Sequence, residues 1–96
     1  MMTIVSYDVS TVDKLGRSRL RKVAKICQNY GQRVQNSVFE IFLDYAGFLK
    51  VKSELLKVID DKADSLRFYY LGEKWDKRVE HFGIKDSYNP EGPLIV

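Results

Sequence analysis

The chain has few of the residues on which enzyme sites and disulfide-rich proteins most often depend. Its 96 residues include one cysteine and one histidine. Cys27 has no disulfide partner and no second ligand at metal-binding spacing, so we interpret it as a small buried residue on a helix. His81, in a late strand-like segment, is interpreted as structural rather than as a general base. The sequence also lacks a Ser/His/Asp series, paired carboxylates near Asp8 and a glycine-rich phosphate loop.

Long apolar runs and targeting signals are also missing. No segment approaches the length of a membrane span, and Met1 to Val5 has neither the charged region nor the apolar segment of a signal peptide. We therefore expect a cytoplasmic protein without a membrane partner. An apolar share of 45% and a charged share of 30% are ordinary for a globular protein, and 96 residues allow one domain.

Positive charge is concentrated in one part of the chain. The net charge is +3, yet the segment from Asp13 to Arg33 alone carries seven basic side chains and one acidic one, which leaves −3 for the rest. The seven are Lys14, Arg17, Arg19, Arg21, Lys22, Lys25 and Arg33. Segregated positive charge is typical of a surface that binds a polyanion.

Hydrophobic periodicity predicts the first half of the fold. Met2 to Val9 alternates like a strand that is apolar on both faces until its end. Asp13 then caps a helix to about Tyr30, and Gly31 lies just past its end. The predicted buried stripe of this helix consists of Leu20, Val23, Ala24, Cys27 and Tyr30.

The second half continues with two strands, a helix and another strand. Gln32 to Leu43 reads as two short strands broken near Asn36 and Ser37. A helix from Asp44 or Tyr45 to Ile59 follows, and then a strand from Ser65 to Leu71 with a turn at Gly72. The expected apolar face of this helix includes Phe48, Leu49, Val51 or Lys52, Leu55, Leu56 and Ile59.

This element order predicts an α+β, ferredoxin-like βαββαβ fold with both helices on one face of the sheet. The other face is apolar but has no local cover, so we expect a two-fold homodimer. Residues 1–82 form the predicted domain, with a short fifth strand from Val79 to Phe82. Residues 83–96 form a tail whose apolar end, Pro93 to Val96, is expected to add a strand to a sheet edge of the dimer.

Several segments together resemble the CRISPR-associated protein 2 family over nearly the whole chain. They are VSYDVST (5–11), GRSRLRKVAKICQNYGQRVQNSVFE (16–40), DSLRFYYLG (64–72), VEHFG (79–83) and the terminal PLIV (93–96). The resemblance implies a ferredoxin-like homodimer with Mg²⁺-dependent, or Mn²⁺-dependent, endonuclease activity on double-stranded DNA or single-stranded RNA. It also implies partnership with the CRISPR integrase, CRISPR-associated protein 1, in acquiring spacers. The tail is most similar to members from compact type I systems.

The resemblance places the catalytic, metal-binding carboxylate of the family at Asp8. One carboxylate per chain suffices if a two-fold axis brings two together around Mg²⁺. Read without the family, a strand-end Asp is more often a turn or capping residue. Nucleic-acid-binding positions are expected at Tyr7, Lys14, Arg17, Arg19, Arg21, Lys25, Arg33 and Phe39.

Some of these side chains have a second interpretation. Tyr7 and Phe39 are also suited to core or dimer packing. Arg19 flanks the buried stripe of the helix and could pair with a carboxylate instead of a phosphate. The residue types alone do not separate these roles.

The sequence leaves two main functions open. The dimer is either a metal-dependent endonuclease or a non-catalytic scaffold that bridges integrase dimers and holds DNA. A third, less favoured reading is an endoribonuclease toxin of the virulence-associated D type, against which the basic segment and terminal PLIV argue. An RNA-recognition motif would need a Gly-aromatic stacking motif on its central strands, and the sequence has no such motif.

Overall fold

The computed structural model describes residues 2–71 and 79–84. The elements of this part of the chain are β1 (Met2–Asp8), α1 (Lys14–Tyr30), β2 (Gly31–Gln35), β3 (Val38–Phe42), α2 (Tyr45–Val58), β4 (Ser65–Leu71) and β5 (Val79–Gly83). The predicted α+β order and the short fifth strand are therefore confirmed. The expected turn at Gly72 and the expected terminal strand at Pro93 to Val96 lie outside the described residues.

The five strands form one antiparallel sheet in the order β2-β3-β1-β4-β5. The first four strands have the ferredoxin-like order, in which β1 lies between β3 and β4. Alternation of burial along β1 points Thr3, Val5 and Tyr7 toward the helices. The next residue, Asp8, is exposed, and alternation assigns it to the opposite face.

The start of α1 is built as its sequence predicts. The carboxylate of Asp13 accepts a hydrogen bond from the backbone amide of Gly16 at 2.6 Å, which caps the helix. Gly16 is buried beneath the β1–α1 loop, and a Cβ at this position would lie 1.9 Å from the carbonyl oxygen of Ser10. Only glycine allows the loop to cross the first turn so closely.

The core lies between the helices and the sheet. Its largest fully buried side chains are Tyr7, Phe39, Phe48, Phe68, Ile41, Leu55 and Leu66. On α2, the buried stripe is narrower than the expected face: Phe48, Val51 and Leu55 are buried, whereas Leu49 and Leu56 are exposed. The helix contacts the core along one stripe, and these two leucines lie beside it.

The sheet face opposite the helices, here called the open face, has no cover from the described residues. Its apolar end is the cross-strand row of Phe42, Met2 and Leu71 on β3, β1 and β4. Phe42 is 69% exposed and Leu71 is 50% exposed. Asp8 lies at the other end of this face, opposite Ser65.

Among the described helices, neither is long and apolar enough to cross a membrane.

Candidate nucleic-acid interface

A groove of about 590 Å³ lies along the exposed side of α1, between the β1–α1 loop and the edge strand β2. Four of its lining side chains are cations, and none is acidic. The lining residues are Thr11, Arg17, Leu20, Arg21, Ala24, Lys25, Gln28, Asn29 and Arg33. Helical spacing of three and four residues aligns the α1 cations, and Leu20 and Ala24, from the margin of the buried stripe, also line the groove. The structure thus brings together four of the predicted nucleic-acid-binding residues.

The two arginines at the ends of this groove are held by backbone carbonyls. Arg17 donates from Nη1 to the carbonyl oxygens of Thr11 and Val12, each at 2.9 Å, which joins the β1–α1 loop to the helix. Arg33 donates from Nε and Nη2 to the carbonyl oxygen of Asn36, at 2.8 and 2.6 Å. Both side chains stay exposed. Each guanidinium is therefore oriented before any ligand arrives, which lowers the entropy cost of gripping a phosphate.

Phe39 lies beneath Arg33 rather than in the groove. Its ring is fully buried, and the Arg33 guanidinium carbon is 5.7 Å from the ring centroid. A cation–π contact of this kind supports the arginine from below. The structure therefore gives Phe39 a packing position, one of the two interpretations open from the sequence.

The predicted carboxylate does not join this cationic groove. Asp8 is exposed at the end of β1, on the open face, whereas the groove lies on the helix side. Lys14, the first residue of α1, is also exposed and outside the groove lining. Across residues 2–71 and 79–84, no cluster of three or more His, Cys, Asp or Glu side chains could hold a metal ion.

The remaining two predicted residues, Tyr7 and Arg19, meet at a carboxylate that sequence reasoning missed. Asp64 is fully buried, and its side chain accepts hydrogen bonds from three groups. Arg19 forms a bidentate pair, from Nε to Oδ2 at 2.8 Å and from Nη2 to Oδ1 at 3.1 Å. The Tyr7 hydroxyl donates to Oδ2, and the backbone amide of Asp60 donates to the same oxygen at 2.9 Å. We call the side chains of Asp64, Tyr7 and Arg19 the Asp64 cluster.

Electrostatics keep the Asp64 cluster in one protonation state. Burial opposes ionisation of Asp64, but the hydrogen bonds from Arg19 and Tyr7 outweigh it and lower the pKa of the carboxyl. Burial, together with the hydrogen bond to Asp64, raises the pKa of Tyr7. The hydrogen bond to Asp64 raises the pKa of Arg19 as well. A carboxylate, a guanidinium and a neutral phenol are therefore the stable forms.

A second cluster, also made of a carboxylate, a cation and a phenol, lies where α2 meets the β4–β5 edge. The Tyr70 hydroxyl and Lys52 Nζ both donate to Oε1 of Glu80, the lysine at 2.8 Å. Lys52 also lies 5.0 Å above the centroid of the Phe82 ring. Burial opposes ionisation of Glu80, but Lys52 and Tyr70 lower the pKa of its carboxyl overall. This second cluster ties α2 to β5, away from Asp8.

His81 lies on the open face and joins strand ends. Its Nε2 is 2.8 Å from Ser65 Oγ and 2.9 Å from the carbonyl oxygen of Ile84. A carbonyl oxygen can only accept, so Nε2 holds the proton in this arrangement. Cys27 is fully buried, and burial raises the pKa of its thiol to about 12, which suits an inert core residue.

Fold and groove together define a class: small ferredoxin-like α+β proteins with a preoriented cationic groove on one helix, suited to a chain of phosphates. The family model described as CRISPR associated protein Cas2 matches residues 1–79. The chain belongs to this family.

Similar proteins agree with that assignment. The chain is 55% identical over 96 residues to the CRISPR-associated endoribonuclease Cas2 of Nitratidesulfovibrio vulgaris, covering all of this chain and 94% of that protein. It is 53% identical over 95 residues to the CRISPR-associated endonuclease Cas2 of Halalkalibacterium halodurans, with 99% of both chains covered. The crystal structure of Streptococcus pyogenes Cas2 at pH 6.5 matches with a TM-score of 0.73 and 55% identity, over 86% of this chain and 100% of that one.

Proposed function

We propose that this protein is a metal-dependent endonuclease of CRISPR adaptation, which acts on double-stranded DNA or single-stranded RNA and works with the CRISPR integrase. The observation that carries the proposal is the α1 groove, with four cations and no acidic lining residue. Support also comes from relatives that are named endoribonuclease and endonuclease. The integrase partnership rests on the family alone.

Binding is the part of this function that the groove explains most directly. Arg21 and Lys25 are exposed between the two preoriented arginines, so successive phosphates can be neutralised along one helix face. Each neutralised phosphate releases counterions, which makes the affinity strongly dependent on salt. Arginine also grips phosphate oxygens with two parallel hydrogen bonds.

Asp8 is a suitable ligand for a divalent cation, but one chain supplies only this one carboxylate to the proposed site. A carboxylate is a hard oxygen ligand, and Mg²⁺ is commonly bound through one or two carboxylates while it keeps several waters. Asp8 of each protomer would hold Mg²⁺ or Mn²⁺, and the bound cation would supply positive charge to phosphate oxygens and acidify water. The chain itself contributes the anion at a solvent-accessible strand end and the cations that bind the substrate.

A homodimer is the assembly that the open face supports. Phe42 and Leu71 are exposed there in one row with Met2, and a second copy is the simplest cover for such a patch. Asp8 belongs to the same face, so a two-fold partner on that face could supply a second carboxylate. Residues 83–96 are proposed to extend this interface.

Light scattering tests the dimer. The wild type is expected at twice the chain mass of 11.2 kDa, and Phe42→Glu is expected to shift it toward the monomer because a charge replaces buried apolar area. Leu49→Glu is the matched control, since Leu49 is also exposed but lies on α2, on the helix side. A wild-type monomer at micromolar concentration would refute the dimer.

One observation favours the alternative function, a non-catalytic scaffold that holds duplex DNA between integrase dimers. The groove and Asp8 lie on opposite sides of the sheet, so a single chain does not present its carboxylate to a phosphate bound in the groove. A scaffold needs the groove and not the carboxylate.

The two functions are separated by one substitution with one control. Asp8→Ala and Asp61→Ala each remove an exposed carboxylate, and Asp61 lies in the turn before β4. Each variant is incubated with duplex DNA and single-stranded RNA, in Mg²⁺ or EDTA. If the protein is a nuclease, Asp8→Ala should abolish Mg²⁺-dependent cleavage and Asp61→Ala should retain it. Affinity in EDTA should stay level or rise for Asp8→Ala, because an anion has been removed from a phosphate-binding protein.

The remaining outcomes assign the function as clearly. Full cleavage by repurified Asp8→Ala protein rules out Asp8 as the metal site. Binding without cleavage by the wild type, under every metal and substrate condition, supports the scaffold.

A further inference from the structure

The Asp64 cluster joins the two separate parts of the proposed site. Tyr7 immediately precedes Asp8 on β1, and Arg19 lies on α1 between the groove residues Arg17 and Arg21. Asp64 binds both side chains, although 57 residues separate it from Tyr7 and 45 from Arg19. A single carboxylate therefore connects the strand end that carries Asp8 to the helix that carries the cations.

The same residue also holds the strand next to Asp8. Ser65 follows Asp64 directly and pairs with Asp8 across β1 and β4. The carbonyl oxygen of Asp64 accepts from the amide of Ile84 at 2.8 Å, which attaches the end of β5. The side chain of Asp64 thus contacts Tyr7, and the next residue, Ser65, lies opposite Asp8.

Stability alone is a weak reason for such an arrangement. Burying an ion pair removes two charges from water, and apolar pairs of similar volume commonly stabilise a core as well or better. Removing one partner of a buried pair, by contrast, strongly destabilises a protein because it leaves an uncompensated charge. A bidentate pair in which Asp64 is fully buried and Arg19 is 18% exposed, with an additional phenol donor, is better suited to holding one arrangement than to adding stability.

We propose that Asp64 is a positioning residue, which acts through Tyr7 and Arg19 to fix the end of β1 that carries Asp8. The proposal deepens the proposed nuclease function and rests on it for its catalytic consequence. Substrate binding should not require Asp64, because Arg17 and Arg33 are oriented by their own backbone carbonyls. The chemical step should require it, because a displacement of about 1 Å between reacting groups costs up to about a hundredfold in rate.

The test uses Tyr7→Phe with Tyr70→Phe as the matched control. Each substitution removes one hydroxyl that donates to a buried or part-buried carboxylate, but Tyr70 belongs to the second cluster, at the α2–β5 contact. Tyr7→Phe is expected to lower kcat by at least about tenfold, with KM for the nucleic acid unchanged. Tyr70→Phe is expected to leave both parameters as in the wild type.

A double variant separates positioning from stability. Asp64→Asn alone leaves Arg19 without its counter-charge, so both stability and kcat should fall. Arg19→Gln combined with Asp64→Asn restores a neutral pair, which should return most of the stability but not the kcat. If kcat recovers together with stability, the cluster is only structural and the proposal is wrong.

A measurement without nuclease activity keeps this proposal separate from the proposed function. The backbone amide of Tyr7 donates to the carbonyl oxygen of Ser37 at 2.9 Å and reports on the end of β1. Hydrogen exchange at this amide should accelerate by about tenfold in Tyr7→Phe, as expected for the loss of one hydrogen bond, and remain unchanged in Tyr70→Phe. Unchanged exchange in Tyr7→Phe overturns the positioning role, even in an active nuclease. Faster exchange in a protein without nuclease activity supports the positioning and refutes the nuclease.

Discussion

Replacing Arg21 and Lys25 with glutamine should weaken nucleic-acid binding in a way that depends on salt. Both side chains are exposed in the groove, and neither has a hydrogen bond or ion pair to another described residue. Their removal therefore takes away charge without breaking an internal contact, unlike the loss of Arg17, which holds the β1–α1 loop. The double variant isolates the phosphate contacts of the helix.

The size of the effect follows from counterion release. Each phosphate contact contributes about 0.9 to the slope of log K against log salt on B-form DNA and about 0.7 on single strands. Losing two contacts should reduce the slope by about 1.8 on duplex DNA. The same relation predicts an affinity loss of about 30-fold at 0.15 M salt and about 200-fold at 0.05 M.

Fluorescence anisotropy with labelled duplex DNA, from 0.05 to 0.3 M salt and in EDTA, measures both quantities. The control is Lys50→Gln with Lys57→Gln, which removes the same charge from exposed positions on α2. An equal fall in slope for the control would show that binding follows net charge and not the groove. An unchanged slope for Arg21→Gln with Lys25→Gln would refute the groove as the path of the phosphates.

Three further predictions concern the fold. The pKa values of Asp64 and Glu80 are lower in the folded protein, so their ionised forms stabilise it fully above the unfolded-state pKa of roughly 4. This stability is lost as the pH falls through the folded pKa values, so the urea midpoint should drop between pH 7 and pH 3. An unchanged midpoint would contradict these ion pairs. Phe48→Ala should lower the free energy of unfolding in urea by about 3–5 kcal/mol, because the Phe48 ring packs edge-to-face on Phe68 with 5.3 Å between ring centroids. A loss below about 1 kcal/mol would argue against this packing of the core. Gly83→Ala should lower the free energy of unfolding by more than about 1 kcal/mol and speed amide hydrogen exchange in β5. The reason is that Gly83 has φ of 99° and a Cβ there would lie 2.1 Å from the Asp64 carbonyl oxygen. An exchange rate in the variant equal to that of the wild type would contradict the assignment of β5.

Much of the fold was predictable because its signals are local. The cap at Asp13, the break near Asn36 and the strand from Ser65 to Leu71 each follow from a few neighbouring residues, and the structure confirms all three. The face of α2 was predicted less well. Leu49 and Leu56 continue the apolar period, but a helix that covers the edge of a small sheet buries only a narrow stripe.

The candidate site divides in the same way. Spacing along α1 predicts that Arg17, Arg21 and Lys25 share a face, since residues three and four apart on a helix are neighbours. That Arg33 completes the groove depends on where β2 lies beside the helix. The sequence alone left Arg19 between two roles, and its pairing with a carboxylate became visible only in three dimensions.

The sequence by itself determined the order of the elements and the concentration of positive charge on one helix, because periodicity and composition act over short stretches of chain. Only the tertiary structure decided which distant groups meet. Asp64 follows a polar turn at residues 61–63, and no neighbouring residue in the sequence indicates that it binds Tyr7 and Arg19. A buried charge needs partners from whichever elements packing brings near, and that choice belongs to the whole fold.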